Sequence, residues 1–519
     1  MGFRDCLLIF MLILVISPIC LLKGIVATEL TDANFIIADF KKINDGFLAL
    51  GNLELSFGGQ RYSTREIGIA LFNRTMGIIK SKILFSDQPI YAHSLHPLSG
   101  GDIAIVGYSL SQDRDYEILL VIVDASGDLK SAKRIGGARL DMASKIIQDS
   151  AGNLLIVGHT SSFSTAGYDG FIMQVKPSGE INWAIAIGEP YYNDIIKDVI
   201  ELDDGYMIFG YTWSFGAALT DILIIKVTYD GKIKWAKIIG GPRYDEIYRA
   251  KKLSEDSIIL VGSTWSSGYG LSDGLLIKLS KDGELKWVRA VGGKEAEAFL
   301  GVEVVNDRIF AAGYTSSLGA GGNDILLACL TLEGEVYWAR AIGTQGSDNA
   351  LSVLTLDDSS LLLVGYSYEN ENLRRTLMVE VDLNGNVKRA EKLKTILRSD
   401  RIGEAEHIHS LSSCVGMSTN VAERMWTTIL NFKTVDLEVK EAHLNLDCLN
   451  YVLHCVEDLS LSPEKAEVKT ARARFTLTLL EALYIWVEDN LDLIILLLPV
   501  LTASAIALIW LLLKRHKHR

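Results

Sequence analysis

Residues 205–241 read GYMIFGYTWSFGAALTDILIIKVTYDGKIKWAKIIGG. Two runs rich in β-branched and aromatic residues, Tyr206–Thr212 and Asp221–Val227, flank a Gly/Ser loop. A third run, Ile233–Ile239, follows the turn Tyr229-Asp230-Gly231-Lys232, and a fourth, Ile195–Leu202, precedes the stretch. Short runs of this composition, cut by Gly, Asp and Ser, are strand signals, and an Asp-Gly turn between two of them marks a hairpin. The stretch therefore predicts a unit of four antiparallel strands with no room for a long helix.

The unit recurs. NLLIVGHTSSFSTAGYDGFIMQVKPSGEINWAIAIG starts at Asn153, DSIILVGSTWSSGYGLSDGLLIKLSKDGELKWVRAVGG at Asp256 and DRIFAAGYTSSLGAGGNDILLACLTLEGEVYWARAIG at Asp307. One glycine anchors each copy, at Gly107, Gly158, Gly210, Gly262, Gly313 and Gly365, with weaker copies at Gly51 and Gly416. Four strands repeating about every fifty residues are the signature of propeller blades. The repeat predicts an all-β fold, an eight-bladed β-propeller over residues 28–445, with seven blades as the alternative. The first unit starts with its own first strand, Asn34–Lys42, and the last ends with its own fourth, Val435–His443. The ring is then expected to close by side-chain packing.

The turn-and-tryptophan segment Asp230-Gly231-Lys232-Ile233-Lys234-Trp235 is repeated at Asp282–Trp287, Gly179–Trp183 and Gly334–Trp338. It resembles the blade motif of pyrroloquinoline-quinone-dehydrogenase-like propellers and their non-enzymatic relatives. The longer pattern is similar to repeat propellers of bacterial and archaeal surface proteins. The resemblance implies that Trp183, Trp235, Trp287 and Trp338 dock neighbouring blades. It implies no cofactor here, because the adjacent cysteines found in many of the quinone enzymes are missing.

The two ends differ from the repeat. Arg4, the apolar run Cys6–Leu22 and the small residues up to Ala27 form the pattern of a signal peptide over residues 1–27, with a retained signal anchor as the alternative. Residues 491–513 are apolar apart from Asp492, long enough for a transmembrane helix, and are followed by the basic tail 514–519. That arrangement predicts a single-pass membrane protein with the propeller outside the cell and the C-terminus in the cytoplasm. Residues 446–490 read as a partly helical stalk or linker opening at Ser462-Pro463-Glu464. A formal net charge of −13 disfavours nucleic acid as a partner. The six cysteines do not make a disulfide scaffold. Cys448 and Cys455 could pair only across a turn, and Cys329 and Cys414 read as buried thiols.

Three sets of residues are candidates for chemistry. Asp141, Asp194, Asp245, Glu297 and Asp348 open the first strand of successive units, which lines the central channel of a propeller. Grouped at one mouth they would suit Ca²⁺; singly, each would cap its own turn. Asp169, Asp221, Asp273 and Asp324 open the third strands, after Gly/Ser loops of the kind that carry binding on one face. Trp213 and Trp265 start two of these loops and suit sugar or protein contact, unless they pack on the neighbouring blade. Asn73-Arg74-Thr75 is a glycosylation sequon. His407 and His409 share one face of a strand, as core or surface histidines. No nucleophile elbow, zinc-spaced histidine pair or phosphate loop occurs. The chain is expected to be a binding or scaffold module for an envelope protein or polysaccharide. An extracytoplasmic enzyme, or a cofactor or metal binder with its site in the channel, is the alternative.

Overall fold

The computed structural model describes residues 32–397 apart from short loop segments, together with strands at 426–429, 438–441 and 455–458. All regular structure among the described residues is β-strand. The strands run in antiparallel quartets. β1 (Asp32–Ile43), β2 (Gly46–Phe57), β3 (Gln60–Asn73) and β4 (Ile78–Phe85) form the first. β5 (Ile90–Pro97), β6 (Ile103–Leu110), β7 (Tyr116–Val123) and β8 (Leu129–Gly136) follow, then β9 (Asp141–Gln148), β10 (Leu154–Thr160), β11 (Gly167–Val175) and β12 (Ile181–Ile187). Next come β13 (Tyr192–Leu202), β14 (Gly205–Thr212), β15 (Asp221–Val227) and β16 (Ile233–Gly240), and β17 (Asp245–Ser254), β18 (Ser257–Thr264), β19 (Asp273–Ser280) and β20 (Leu285–Val291). β21 (Glu297–Val305), β22 (Arg308–Thr315), β23 (Asp324–Thr331), β24 (Val336–Gly343), β25 (Ser347–Asp357), β26 (Ser360–Asn370), β27 (Leu373–Asp382) and β28 (Val387–Lys392) complete the series.

The first strand of each quartet contacts the first strand of the next, and β25 contacts β1, so these strands surround an axis. Hydrophobic cores lie between consecutive quartets. Leu48, Leu50 and Ile69 pack with Ile105, Leu119 and Val121, for example, and Phe209 and Ile224 pack with Leu260 and Leu275. The same kind of core joins the last quartet to the first, where Leu362, Val364 and Met378 meet Phe35, Phe40 and Phe72. The Thr376 hydroxyl bridges this seam by donating to the Phe35 carbonyl (2.6 Å) and accepting from the Ile37 amide (3.2 Å). Arg374 and Glu54 form an ion pair across it. The fold is a β-propeller.

The expected count of eight blades, or seven, is corrected by the sheets themselves. They number six, and five of them are separate blades built on one quartet each. The sixth is nine-stranded, because Gly167 and Tyr168 of β11 pair in parallel with Tyr192 and Asn193 of β13, merging two quartets. Single parallel bridges, Thr220 to Tyr244 and Ser272 to Ala296, mark the same place at other junctions.

No further four-stranded blade follows β28 among the described residues. β29 (Ile396–Leu397) pairs with the start of β1. β30 (Trp426–Ile429), β31 (Glu438–Glu441) and β32 (Cys455–Asp458) add to the open edges of β24, β16 and β8. β31 falls inside the strand expected to end the eighth unit, and β32 inside the expected stalk. Segments of the eighth unit thus join the edges of earlier quartets. The unpaired N–H and C=O groups of an outer edge accept such segments. The leader at 1–27, the apolar run 491–513 that carries the expected C-terminal transmembrane helix, Cys414, Cys448, His407 and His409 lie outside the described residues. No helix among the described residues is long and apolar enough to cross a membrane.

The anchor glycines have a steric cause. Each first strand carries a β-bulge, with register shifts at Ala92/Ser94, Ile196/Asp198, Ile247/Arg249, Phe299/Gly301 and Ala350/Ser352. The extra residue pushes the preceding carbonyl toward the second strand. A Cβ on Gly107, Gly210, Gly262 or Gly313 would collide with the carbonyl oxygen of Tyr91, Ile195, Glu246 or Ala298. Gly262→Ala should therefore lower the melting temperature by an amount equivalent to about 1–3 kcal/mol. Gly100→Ala, in a turn with open space around the new methyl group, should stay within about 0.5 kcal/mol. Thermal melts of the two variants beside the parent check this.

Candidate functional site

The five recurring acids lie buried at or near the start of β9, β13, β17, β21 and β25. Each is taken up by its own junction. Asp141 accepts from the Gly137 amide (2.8 Å) and from the hydroxyls of Ser162 (2.6 Å) and Thr160. Asp194 accepts from Thr212 and Ser214, and Asp245 from the Gly241 amide (2.8 Å) and Ser266 (2.6 Å). Glu297 accepts from the Gly293 amide and Thr315, both at 2.7 Å, and Asp348 from the Thr344 amide (2.6 Å) and hydroxyl (2.8 Å). For Asp141, Asp245 and Glu297 these bonds tie the turn leaving one quartet to the end of the second strand, or the loop after it, in the next. Among the described residues no three His, Cys, Asp or Glu side chains form a group able to hold a metal ion.

The third-strand acids approach the same junctions from the other side. Gly188 lies between the Asp169 and Asp194 carboxyls, and Gly292 between those of Asp273 and Glu297, where a Cβ would strike both. Burial pushes the Asp169 carboxyl up to about 6, with a further push from the Asp194 carboxylate. Burial also raises Asp194 and Asp141, against the hydrogen bonds that favour their charged forms.

The repeated tryptophans dock quartet to quartet. Trp183 Nε1 donates to the Tyr229 carbonyl (3.0 Å) and Trp287 Nε1 to that of Leu332 (3.1 Å), each in the hairpin of the next quartet. The ring sits so close to that hairpin's glycine, Gly231 or Gly334, that only a hydrogen fits between them. A cation two residues on covers the ring: Lys237 lies 5.0 Å from Trp235, and Arg289 5.5 Å from Trp287. Arg289 Nε also donates to the Gly334 carbonyl (2.8 Å).

Trp213 and Trp265 are placed differently. They are 43% and 40% exposed, on the loops after β14 and β18. The Trp213 amide donates to the Asn193 carbonyl (3.0 Å) and the Trp265 amide to that of Tyr244 (2.8 Å), so each stands beside the strand that opens its own quartet. Tyr191 (84% exposed), Tyr192 and Tyr244 are exposed next to them, and the Tyr244 ring meets Trp265 edge-on at 5.7 Å. Exposed aromatic rings thus recur at the same loop of two adjacent quartets, Tyr191, Tyr192 and Trp213 on one and Tyr244 and Trp265 on the other. Asn73 closes a turn, its Oδ1 accepting from Thr75 and Gly77. Cys329 is buried, which pushes its thiol up to about 11.

The channel is where sequence reasoning missed residues. The bulge positions are Ala38, His93, Ser144, Lys197, Tyr248, Leu300 and Leu351, all half-buried on the axial strands. Beside them stands the residue after each anchor glycine: Tyr108, His159, Tyr211, Ser263, Tyr314 and Tyr366. His93 packs on Tyr108 at 5.3 Å, and the Tyr248 hydroxyl lies 3.3 Å from that of Ser263. The available signal was spacing. Lys197 and Tyr248 each fall three residues after a recurring acid, at a fixed place whose residue type varies.

No known protein-family profile matches this chain, and no curated protein matches it. Similar solved structures include the β-propeller domain of the Trilobed protease from Pyrococcus furiosus, which has an open velcro topology. It is 12% identical, covers 72% of this chain and 99% of that one, and has a TM-score of 0.39. A Pyrococcus horikoshii acylaminoacyl peptidase is 14% identical and covers 67% of this chain, which spans about half (52%) of that one, with a TM-score of 0.37. A Synechocystis apocarotenoid oxygenase mutant is 13% identical, covers 70% of this chain and 94% of that one, and has a TM-score of 0.36. The fold assignment rests on the strand pairing, and no activity passes from these proteins to this chain.

Two outcomes follow from the junctions. The folded-state pKa of Asp169 lies above its ordinary value of 3.8. Its stabilising contribution is therefore full below pH 3.8 and lost as pH rises through about 6. Asp169→Asn should gain melting temperature relative to the parent between pH 4 and pH 7, measured by melts across that range. Trp287→Ala should lose about 2–3 kcal/mol, because it removes both the seat of the Gly334 turn and the platform under Arg289. The exposed Trp265→Ala should change stability by less than about 0.5 kcal/mol.

Proposed function

We propose that this propeller is a cell-surface binding module for a neutral polysaccharide, and that the strip of Trp213, Trp265, Tyr191, Tyr192 and Tyr244 is its contact. The strip carries the reading. Flat rings left in water over two neighbouring quartets cost more than scattered single ones, and such patches mark interaction sites. The C–H faces of a pyranose stack on Trp and Tyr, whose polar edges stay hydrated. The rings bring no charge of their own, which suits an uncharged polymer. Neighbouring Ser214 and Ser266 are already engaged with Asp194 and Asp245, so the loop backbones that hold the rings are fixed before a ligand arrives.

The remaining pieces belong to the same reading. The apolar run 491–513 and basic tail 514–519 would tether the module to the membrane with the propeller outside the cell, after export by the leader. The resemblance of the turn-and-tryptophan segment to the non-enzymatic relatives of quinone-type propellers fits a binding rather than a catalytic role.

The full chain in detergent, titrated with neutral oligosaccharides while tryptophan fluorescence is followed, should show saturable quenching. Trp213→Ala and Trp265→Ala should each weaken binding about tenfold, equivalent to about 1.4 kcal/mol, without lowering the melting temperature. Unchanged affinity in both variants would rule the strip out. Capture of an envelope protein with no glycan bound would replace the polysaccharide by a protein partner.

A further inference from the structure

The charges of the axial strands are mostly matched with one another. Lys41 and Lys145 both approach Asp39, at 3.9 and 3.8 Å. Lys251 is ion-paired with Glu303, and Glu246 accepts a hydrogen bond from the Tyr248 hydroxyl at 2.6 Å. Lys197 and Arg249 are left over: neither forms a salt bridge among the described residues. Lys197, at the bulge of β13, holds its ammonium over the Tyr211 ring, 5.5 Å from the centroid. Arg249, just past the bulge of β17, donates Nη1 to the Tyr248 carbonyl at 3.0 Å.

Two imidazoles face these cations. His93, at the bulge of β5, has Nδ1 2.7 Å from the Ala143 carbonyl, which fixes the proton on that nitrogen. His159 follows the anchor glycine of β10, and its buried Nδ1 has no partner among the described residues. Burial lowers the pKa of both, and the nearby Lys197 charge lowers both further. They are therefore neutral at pH 7 and add donors without adding charge. The Glu246 carboxylate acts on Lys197, and Asp39, already approached by Lys41 and Lys145, acts on Arg249. The four cations Lys41, Lys145, Lys197 and Arg249 still outnumber Asp39, Asp198 and Glu246, and partly buried positive charge in excess, beside an unmet buried nitrogen, is costly unless an anion joins it.

We propose that the channel binds a small oxyanion, a carboxylate or phosphate group, between Lys197 and Arg249, with His159 Nδ1–H as a further donor. The site is separate from the aromatic strip and stands whether or not the strip binds a glycan. Its anion could be free inorganic phosphate or the carboxylate of an acidic sugar, and the test separates these.

The full chain is titrated calorimetrically with sodium phosphate and, separately, with sodium glucuronate, each against sodium chloride of equal ionic strength. At least one should bind saturably. Phosphate alone assigns a free inorganic anion, and glucuronate alone an acidic sugar. Lys197→Met and Arg249→Gln should each weaken that binding tenfold or more, and Lys197→Arg should largely retain it. Lys286→Met, on an exposed hairpin, should change nothing. If either loss variant fails to fold, the parent titration and Lys197→Arg still decide. No saturable heat from either anion in the parent protein, or full affinity in both folded loss variants, overturns the proposal.

Discussion

The ring depends on a backbone bulge facing a glycine at the same place in quartet after quartet. The bulge bends each axial strand and drives a carbonyl into the space where the second strand would carry a Cβ. Only glycine fits there, which is why Gly107, Gly158, Gly210, Gly262, Gly313 and Gly365 keep step along the chain. The same bulge turns one residue per quartet out of the pairing register. The fold thus fixes a frame and leaves the channel positions, His93, Lys197 and Tyr248 among them, to vary.

Between quartets the packing is apolar in the middle and polar at both ends. On one side, buried carboxylates such as Asp245 gather the amide of the incoming turn and the hydroxyl of the following loop. On the other, a tryptophan such as Trp287 seats the next hairpin and carries its own arginine above it. Asp141, Asp245 and Glu297 hold their junctions in register because each satisfies donors from two quartets at once, which an apolar residue of the same size could not do. Surface aromatics follow another rule: Trp213 and Trp265 have no hairpin beneath them and remain in water.

Much of the fold was legible in the sequence because strand composition, the Asp-Gly turn and the glycine period are local. The strands around Gly210 were read to within about three residues. The number and merging of sheets were not legible. Parallel pairing of Gly167 and Tyr168 with Tyr192 and Asn193 depends on how two loops meet in space. The last unit misled for a related reason: two of its strand-like runs pair with the edges of other quartets, a long-range choice that no local signal records. The acids were found by their spacing, and the structure shows one at each of five junctions, from β9 to β25, with its own donors. The channel residues escaped because their chemistry differs from quartet to quartet, so no motif repeats.

At the seam between β27 and β1, a threonine hydroxyl, an ion pair and the two-residue pairing of β29 with β1 join the last quartet to the first. Nearly every quartet is then a complete cassette, and the chain's linear order is one of several equivalent ways to cut the circle. Tandem duplication or loss of one of the quartets between β9 and β24, which share the buried acid and the docking tryptophan, would reproduce the same kind of junction while widening or narrowing the central bore. Lineages with this architecture can therefore retune the diameter of their channel by genetic copy number, with no change to the core.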